Sequence, residues 1–293
     1  MIRRPVLAPG LRALLHPSGQ VQVGLSAEHR IRVPNEPAVR RTLAILERGE
    51  ALPDTPEFRR TRSLLAGVLR DGDRLGRPGI DAGEAAAVAL QHPISSEERL
   101  NARSLSRIRV LGSLGPDVAG LIAAAGLGSG SPPTAVLVLS CGEPDREQLD
   151  DLVRAGIAHL LVRATEGAIL LGPFVVPGLG GCLRCWDLHQ QALEPAYGAL
   201  LTRAQHSARA DGVAEPVFAA LAWIALGWAV SDLVRHCEGE QATTLGAYVR
   251  ITPDAAGYTL TPMSAHPACS CTWSAGAIVT SEVKPGDLEP PDQ

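Results

Sequence analysis

The sequence predicts an α/β protein in two parts: a winged-helix-like α+β module over residues 1–75 and a Rossmann-like parallel-sheet domain over residues 107–283. Three observations predict it. Three short strands precede two amphipathic helices in the first 75 residues. From Arg107 onward, apolar strands alternate with helices. Two cysteine pairs, Cys182-Leu183-Arg184-Cys185 and Cys269-Ser270-Cys271, lie far apart within the second part, and together they supply four thiolates for one tetrahedral zinc.

The first part opens with a hairpin. Leu11–Leu15 and Gln20–Leu25 flank His16-Pro17-Ser18-Gly19, and Val21, Val23 and Leu25 alternate with Gln22 and Gly24 as in a half-buried strand. Arg30–Val33 is a third strand, stopped by Pro34. Asn35 is placed to cap a helix in which Val39, Leu43 and Leu46 share one face, and Gly49 ends it. Thr55-Pro56 opens a second helix, with Phe58, Leu65 and Leu69 along one stripe and Arg59, Arg60 and Arg62 on the solvated side. Its predicted end is Asp71-Gly72-Asp73. Residues 76–106 read as a connector, with helical stretches at Asp81–Leu90, capped by Asp81, and at Ser95–Ala102.

The second part opens with a strand at Ile108–Leu111, a Gly turn at Gly112-Ser113-Leu114-Gly115 and a helix over Pro116–Ala125. Such a turn lets the backbone approach a phosphate and leaves a helix N-terminus for an anion. A lone Gly-x-x-Gly is a weak signal, and Asp117 puts a carboxylate where a phosphate favours positive charge. Ala135–Leu139 reads as a buried parallel strand and Asp145–Ala155 as a helix. His159–Arg163 and Ala168–Gly172 are further strands. A helix over Leu188–Ala204 is interrupted at Pro195, and Glu215–Val234 is a long core helix. Gly246–Ile251 and Gly257–Pro262 form an antiparallel pair that leads into the second cysteine pair. Residues 284–293 are polar and Pro-rich, the composition of a disordered tail.

Composition narrows the function. Apolar residues make up 45% of the chain and aromatic residues 3%, so the core is large and aliphatic. A net charge of −4 gives no general attraction for nucleic acid, which argues against that partner. The most apolar run, Pro216–Val230, is too short to span a bilayer and is flanked by Glu215 and Asp232, so no membrane association is predicted. The N-terminus lacks a secretory h-region, and thiols at metal-type spacing point to the cytoplasm.

Four thiolates leave no open coordination position, so the expected zinc holds structure rather than catalysing. A redox pair at Cys182/Cys185 is the competing reading, but it leaves Cys269 and Cys271 unexplained. His189 and His266 are close enough in sequence to replace a cysteine at the metal. Cys141 ends a strand at the ligand side of the sheet, where a nucleophile is conceivable but a plain thiol is the default; Cys237 reads as structural.

The turn Leu111–Gly115, the helix end Ala123-Ala124-Ala125-Gly126-Leu127-Gly128, the Gly-Pro…Pro-Gly…Cys-Leu-Arg-Cys run and the final Cys-x-Cys resemble the ThiF-like superfamily of adenylating enzymes with a structural zinc. Within it, the chain looks most like the leader-peptide-binding partner proteins of thiazole/oxazole-modified microcin (TOMM) clusters, which carry an N-terminal winged-helix RiPP recognition element. The resemblance implies that a leader peptide adds a strand beside Ile31, Arg32 and Val33, with a helix bearing Arg60 and Leu64 as the other wall. It also implies a partner enzyme such as a YcaO-type cyclodehydratase, and leaves a homodimer open.

Active ThiF-like members place an acidic ribose-binding residue after the second strand, followed by an Asn/Arg/Lys-bearing stretch for the triphosphate. Here that segment is missing: Gly126-Leu127-Gly128 runs through Ser129–Pro133 straight into a strand resembling a later one, and no Lys precedes Lys284. Gly112 and Gly115 then read as a vestigial nucleotide loop, with ATP not expected and no catalytic residue assigned. The expected function is a non-catalytic scaffold that presents a precursor peptide to a modifying enzyme. The alternatives are an ATP-dependent adenylating enzyme and a winged-helix DNA-binding regulator.

Overall fold

The structure, a computed structural model, describes residues 4–50, 52–72, 79–206, 215–254 and 258–271. The chain divides into two compact units, Met1–Leu105 with Ile122–Gly128, and Ser106–Leu121 with Ser129–Gln293.

In the first unit, β2 (Ala13–Leu15), β3 (Val21–Val23) and β4 (Ile31–Val33) form an antiparallel sheet in that order. The three strands are the predicted ones. Their inward residues Val21, Val23 and Val33 join Val39, Leu43 and Leu46 of α1 (Pro37–Glu47) and Leu65, which follows α2 (Pro56–Leu64), in one aliphatic core. Asn35 does not cap α1; its side-chain oxygen accepts from Arg40 Nη1 at 2.7 Å, and Glu36 takes the cap position without a side-chain bond. α2 ends at Leu64 rather than near Leu69. A 3-10 turn at Ala66–Val68 follows, and Leu69–Asp71 becomes β5, which pairs with β1 (Pro5–Leu7). Helical periodicity through Leu65 and Leu69 does not register a ladder partner some 60 residues earlier, and the ladder prevails over the helix.

α3 (Ala82–Gln91) and α4 (Ser96–Leu105) occupy the stretch read as a connector, with Asp81 accepting from the Gly83 and Glu84 N–H groups as expected. The buried Arg70 guanidinium ties α3 to β5 by donating to the carbonyls of Ala89 (2.9 Å) and Leu69 (2.9 Å). The expected tail at 284–293 lies outside the described residues.

The second unit is a six-stranded sheet in the order β11-β10-β9-β8-β7-β6, comprising β6 (Ile108–Leu111), β7 (Ala135–Cys141), β8 (Ala158–Thr165), β9 (Ala168–Val175), β10 (Ala247–Ile251) and β11 (Leu260–Pro262). Only β6, β7 and β8 are parallel. The expected parallel sheet is therefore a mixed one, because β8 and β9 join through Glu166-Gly167. Both turn residues have positive φ (51° and 78°), the mirror-image turn of a tight hairpin, and two residues cannot make a parallel crossover.

Helices cover both faces. Val136, Val138 and Leu161 pack under α6 (Arg146–Arg154) and α7 (Leu183–Leu193) through Leu149 and Leu183. On the opposite face, the Phe174 ring meets His236 of α9 (Ala219–Cys237) at 4.9 Å. Asp232 on α9 is fully buried and accepts four hydrogen bonds, from the N–H and hydroxyl groups of Thr243 and Thr244. α8 (Tyr197–His206) follows α7 after the break at Pro195.

Candidate functional site

The cysteine pairs converge. Gly181 lets the chain before α7 run against the segment after β11: a Cβ there would stand 2.4 Å from the Met263 carbonyl oxygen, so only glycine fits. Cys182 then sits at the cap of α7 and Cys185 in its first turn. The sulfurs of Cys182 and Cys185 are 3.9 Å apart, those of Cys182 and Cys269 3.7 Å, and those of Cys185 and Cys271 3.4 Å. All four lie within 4.8 Å of one another and are buried. Four sulfurs at 2.3 Å around a tetrahedral zinc stand about 3.8 Å apart, so the spacing fits that ion. Val175, Val153 and Leu188 close the apolar surround.

The electrostatics of the four thiols are lopsided. The hydrogen bond from Cys182, working against burial, draws the Cys185 thiol down to about 4, and the His266 N–H adds to it. Cys182 is pushed up by that same hydrogen bond and by burial, and burial pushes Cys271 up to about 12. Burial thus works against ionising Cys182 and Cys271 together with Cys185, and a divalent cation would supply the charge that offsets it. His189 and His266 stand outside the cluster. His189 Nε2 lies 3.2 Å from the Ser264 carbonyl and hydroxyl oxygens, and His266 Nδ1 accepts from the Ala268 N–H at 3.1 Å.

The Gly turn is differently used. Gly112 has φ +77°, and a Cβ there would lie 2.0 Å from the Leu139 carbonyl oxygen, so the glycine seats the turn against β7. Gly115 has φ +101° with open space around it. Asp117 occupies the start of the seven-residue α5 (Val118–Ala124) by accepting from the Ala119 N–H at 3.0 Å. Cys141 is exposed, its sulfur 3.6 Å from the Ser113 carbonyl oxygen. β6 is the last named strand of the sheet, but Ile108 also makes a parallel bridge to Ser129 on the side away from β7, so strand order reverses beside this turn. In open α/β sheets such a reversal makes the ligand crevice.

The sequence reading missed a buried charge network. Arg163 on β8 donates to both Glu143 oxygens (2.8 and 2.7 Å), and Arg146 on α6 donates to Glu143 (2.8 Å) and to both oxygens of Asp187 on α7 (2.8 and 3.0 Å). Burial opposes the Arg146 charge, but Asp187 and Glu143 outweigh it and hold the guanidinium above its ordinary value. The network fixes the helix that carries Cys182 and Cys185. Its one sequence signal is a cation, Arg163, inside the apolar run His159-Leu160-Leu161-Val162-Arg163.

In the first unit, β4 is an edge of the three-stranded sheet, with Ile31 half-buried, Arg32 exposed and Val33 buried. The 12↔24 and 16↔20 backbone bonds set the register, which turns the Arg32 N–H and carbonyl away from β3. At the other edge, the outward Ala13 N–H is taken by Glu47 Oε1 at 3.1 Å. Arg60 and Leu64 are exposed on α2, while Thr61 and Leu65 turn inward. The two clefts described in this unit, about 470 and 340 Å³, both border β2 and Glu47 rather than β4.

No family model matches the chain, and no curated protein matches it. The fold is shared with solved structures at low identity. E. coli MccB in complex with MccA superposes with a TM-score of 0.54 and 13% identity, covering 92% of this chain and 99% of that one. MccB with ATP gives 0.53 and 13% over 92% and 99%. The heterocyclase TruD gives 0.61 and 16%, covering 92% of this chain but 42% of TruD, so the chain spans less than half of that protein's length. These likenesses establish the fold. No described helix is long and apolar enough to cross a membrane.

Proposed function

We propose that the chain is a non-catalytic, leader-peptide-binding scaffold in the biosynthesis of a ribosomally made, post-translationally modified peptide, presenting the precursor to a partner such as a YcaO-type cyclodehydratase in the cytoplasm. A fold shared with MccB, solved with MccA, and with the heterocyclase TruD supports the pathway. The observation that carries the binding role is the β4 edge. The Arg32 N–H and carbonyl face outward there, while the opposite edge is capped by Glu47. The residues 1–75 module, winged-helix-like, would take the peptide at Ile31, Arg32 and Val33, with Arg60 and Leu64 on the far wall. Structural zinc at Cys182, Cys185, Cys269 and Cys271 would keep the 107–283 domain folded; the ion neutralises the thiolates that its burial site otherwise disfavours.

The test is calorimetry of the full chain with a precursor peptide encoded beside it. Arg32→Pro removes the outward N–H at an edge position where proline is tolerated, and it should weaken binding at least tenfold. Arg32→Ala keeps the N–H and should bind within about threefold of the parent. Equal affinity in both variants would exclude strand addition at β4.

A second reading, an ATP-dependent adenylating enzyme, is favoured by the MccB structure with ATP. Against it stand the seating of Gly112 on Leu139 and the Asp117 cap on α5. Magnesium-dependent ATP-pyrophosphate exchange above background would establish it.

A further inference from the structure

The solvent face of the three-stranded sheet carries a charge that neither the metal cluster nor the Gly turn uses. Residues 1–75 hold 13 Arg against 8 Asp and Glu, in a chain whose net charge is −4. Some of these arginines are spent locally: Arg41 on Glu57, Arg48 on Glu50, Arg59 on Asp54, and the buried Arg70 on carbonyls. Three others share one surface. Ala13, Ile31 and Val33 turn toward the core, so the two-residue period of a strand turns Arg12, Arg30 and Arg32 the other way. All three are exposed, and among the described residues none of them has a carboxylate partner. Arg32 Nε donates to a neutral group, Gln22 Oε1, at 3.1 Å. The strands themselves, residues 12–16, 20–24 and 30–33, contain no Asp or Glu. Gly24 lies between Arg12 and Arg30: its N–H donates to the Arg12 carbonyl at 3.1 Å, and a Cβ on it would stand 3.4 Å from Arg30 Cα. No side chain therefore stands between those two arginines.

We propose that this face selects the precursor peptide by charge: the segment added antiparallel to β4 has the pattern acid–apolar–acid, with its carboxylates opposite Arg32 and Arg30 and its apolar side chain opposite Ile31. Strand addition at β4 is the premise, and the triplet is the chemistry that such addition requires of the peptide. The Arg32 N–H and carbonyl face outward, so the peptide residue opposite Arg32 exchanges both backbone bonds with it and lies on the same face of the sheet. Directly opposite side chains stand about 4.5–5.5 Å apart at Cβ, within reach of a guanidinium–carboxylate contact. The next peptide residue points to the other face, beside the half-buried Ile31, where a charge would be set against the aliphatic core. The third returns to the solvent face beside Arg30. A basic residue at either outer position would meet like charge directly opposite, which is unfavourable. Arg12 stands two strands from Arg30, about 10 Å, roughly one Debye length at 0.1 M salt, so it adds to the same field. One exposed pair contributes only about a few-fold in affinity. Selection thus comes from the row of arginines and the alternation together, and Arg32→Ala alone has a small effect.

Calorimetry of the full chain with the precursor peptide encoded beside it tests the triplet, which that peptide should contain. Moving both acids one position along the peptide, at unchanged composition, turns them toward the core side and should weaken binding to the unaltered chain at least tenfold. The double variant Arg30→Glu, Arg32→Glu, both at exposed positions, should keep the parent unfolding curve and bind the parent peptide at least tenfold more weakly. A peptide whose two acids are changed to arginine should recover at least about tenfold on that variant. If Arg32→Pro weakens binding while the shifted peptide and the double variant behave like the parent, strand addition stands and the triplet is overturned. If the parent peptide does not bind at all, both fall. If charge reversal weakens binding but the charge-swapped peptide does not restore it, or if duplex DNA displaces the peptide at equal concentration, the arginines form a general polyanion surface and the triplet is overturned.

Discussion

The cysteine cluster and the Gly turn are both short motifs in one sheet domain, yet the fold treats them oppositely. The four cysteines come from the start of α7 and from the segment after β11, up to 89 positions apart in the chain, and their sulfurs still lie within 4.8 Å. No packing rule requires four thiols to meet; a shared ligand does. The glycines of the turn, in contrast, are accounted for by the backbone. Gly112 is required by a carbonyl of β7 and Gly115 by its own φ. A motif whose geometry exceeds what folding demands points to a ligand, and one that folding fully uses does not.

The largest expected effect lies at the cluster. The purified chain should contain one zinc by elemental analysis, and Cys185→Ser should abolish it. Because metal affinity contributes directly to folding stability, loss of the site should cost at least about 3–5 kcal/mol and lower the unfolding midpoint by about 10 °C or more. A cleft lined by Cys182, Cys269 and Cys271 gives a chelator access, so excess chelator should have the same effect on the parent. A chain that keeps its melting point without metal would erase the contrast between the two motifs.

Next comes the helix that presents the first pair. Asp187→Ala takes two of the bonds from the buried Arg146, leaves it Glu143 and the Pro144 carbonyl, and through Glu143 disturbs the buried Arg163. Breaking a buried pair on one side costs about 3–5 kcal/mol, though the rest of the network can offset part of it. Zinc affinity should fall with stability, because α7 is less well held. If stability falls but affinity does not, α7 is positioned by its apolar contacts alone.

The Gly turn should respond more weakly, and unevenly. Gly112→Ala meets the Leu139 carbonyl at 2.0 Å and should cost about 2–3 kcal/mol, whereas Gly115→Ala meets nothing and should cost about 1–2 kcal/mol from its φ alone. Equal costs measured by chemical denaturation would mean that the turn does not lie against β7.

Legibility followed the same division. The three strands of the first unit, most helices and the cysteine set could be read because alternation, helical period and ligand spacing are local or carry their own chemistry. The β1–β5 ladder could not, since Pro5 and Asp71 announce nothing to each other across the chain. The β8–β9 hairpin was legible in principle: Glu166-Gly167 leaves no room for a crossover, but the surrounding apolar runs read as parallel strands. The Arg146–Asp187 pair spans 41 residues and leaves no spacing to find.

The smallest predicted effect separates two origins of acid sensitivity. His159 on β8 is buried and registers with Val175, a neighbour of the cysteine cluster. Burial lowers its pKa, only partly opposed by the bond to the Ile157 carbonyl, so the folded state holds it neutral. The unfolded chain binds this proton more readily. Its contribution is therefore fully present above the unfolded value near 6.5 and is lost as pH falls below it, with a slope of at most about 1.4 kcal/mol per pH unit. Acid also protonates the thiolates, so the parent slope mixes two causes. His159→Gln removes only the first: between pH 7 and pH 5 the variant should lose less stability than the parent, while the pH at which zinc is released stays the same. If the release point moves with the substitution, the histidine and the thiolates act together, and the cluster extends one strand further into the sheet than its four sulfurs indicate.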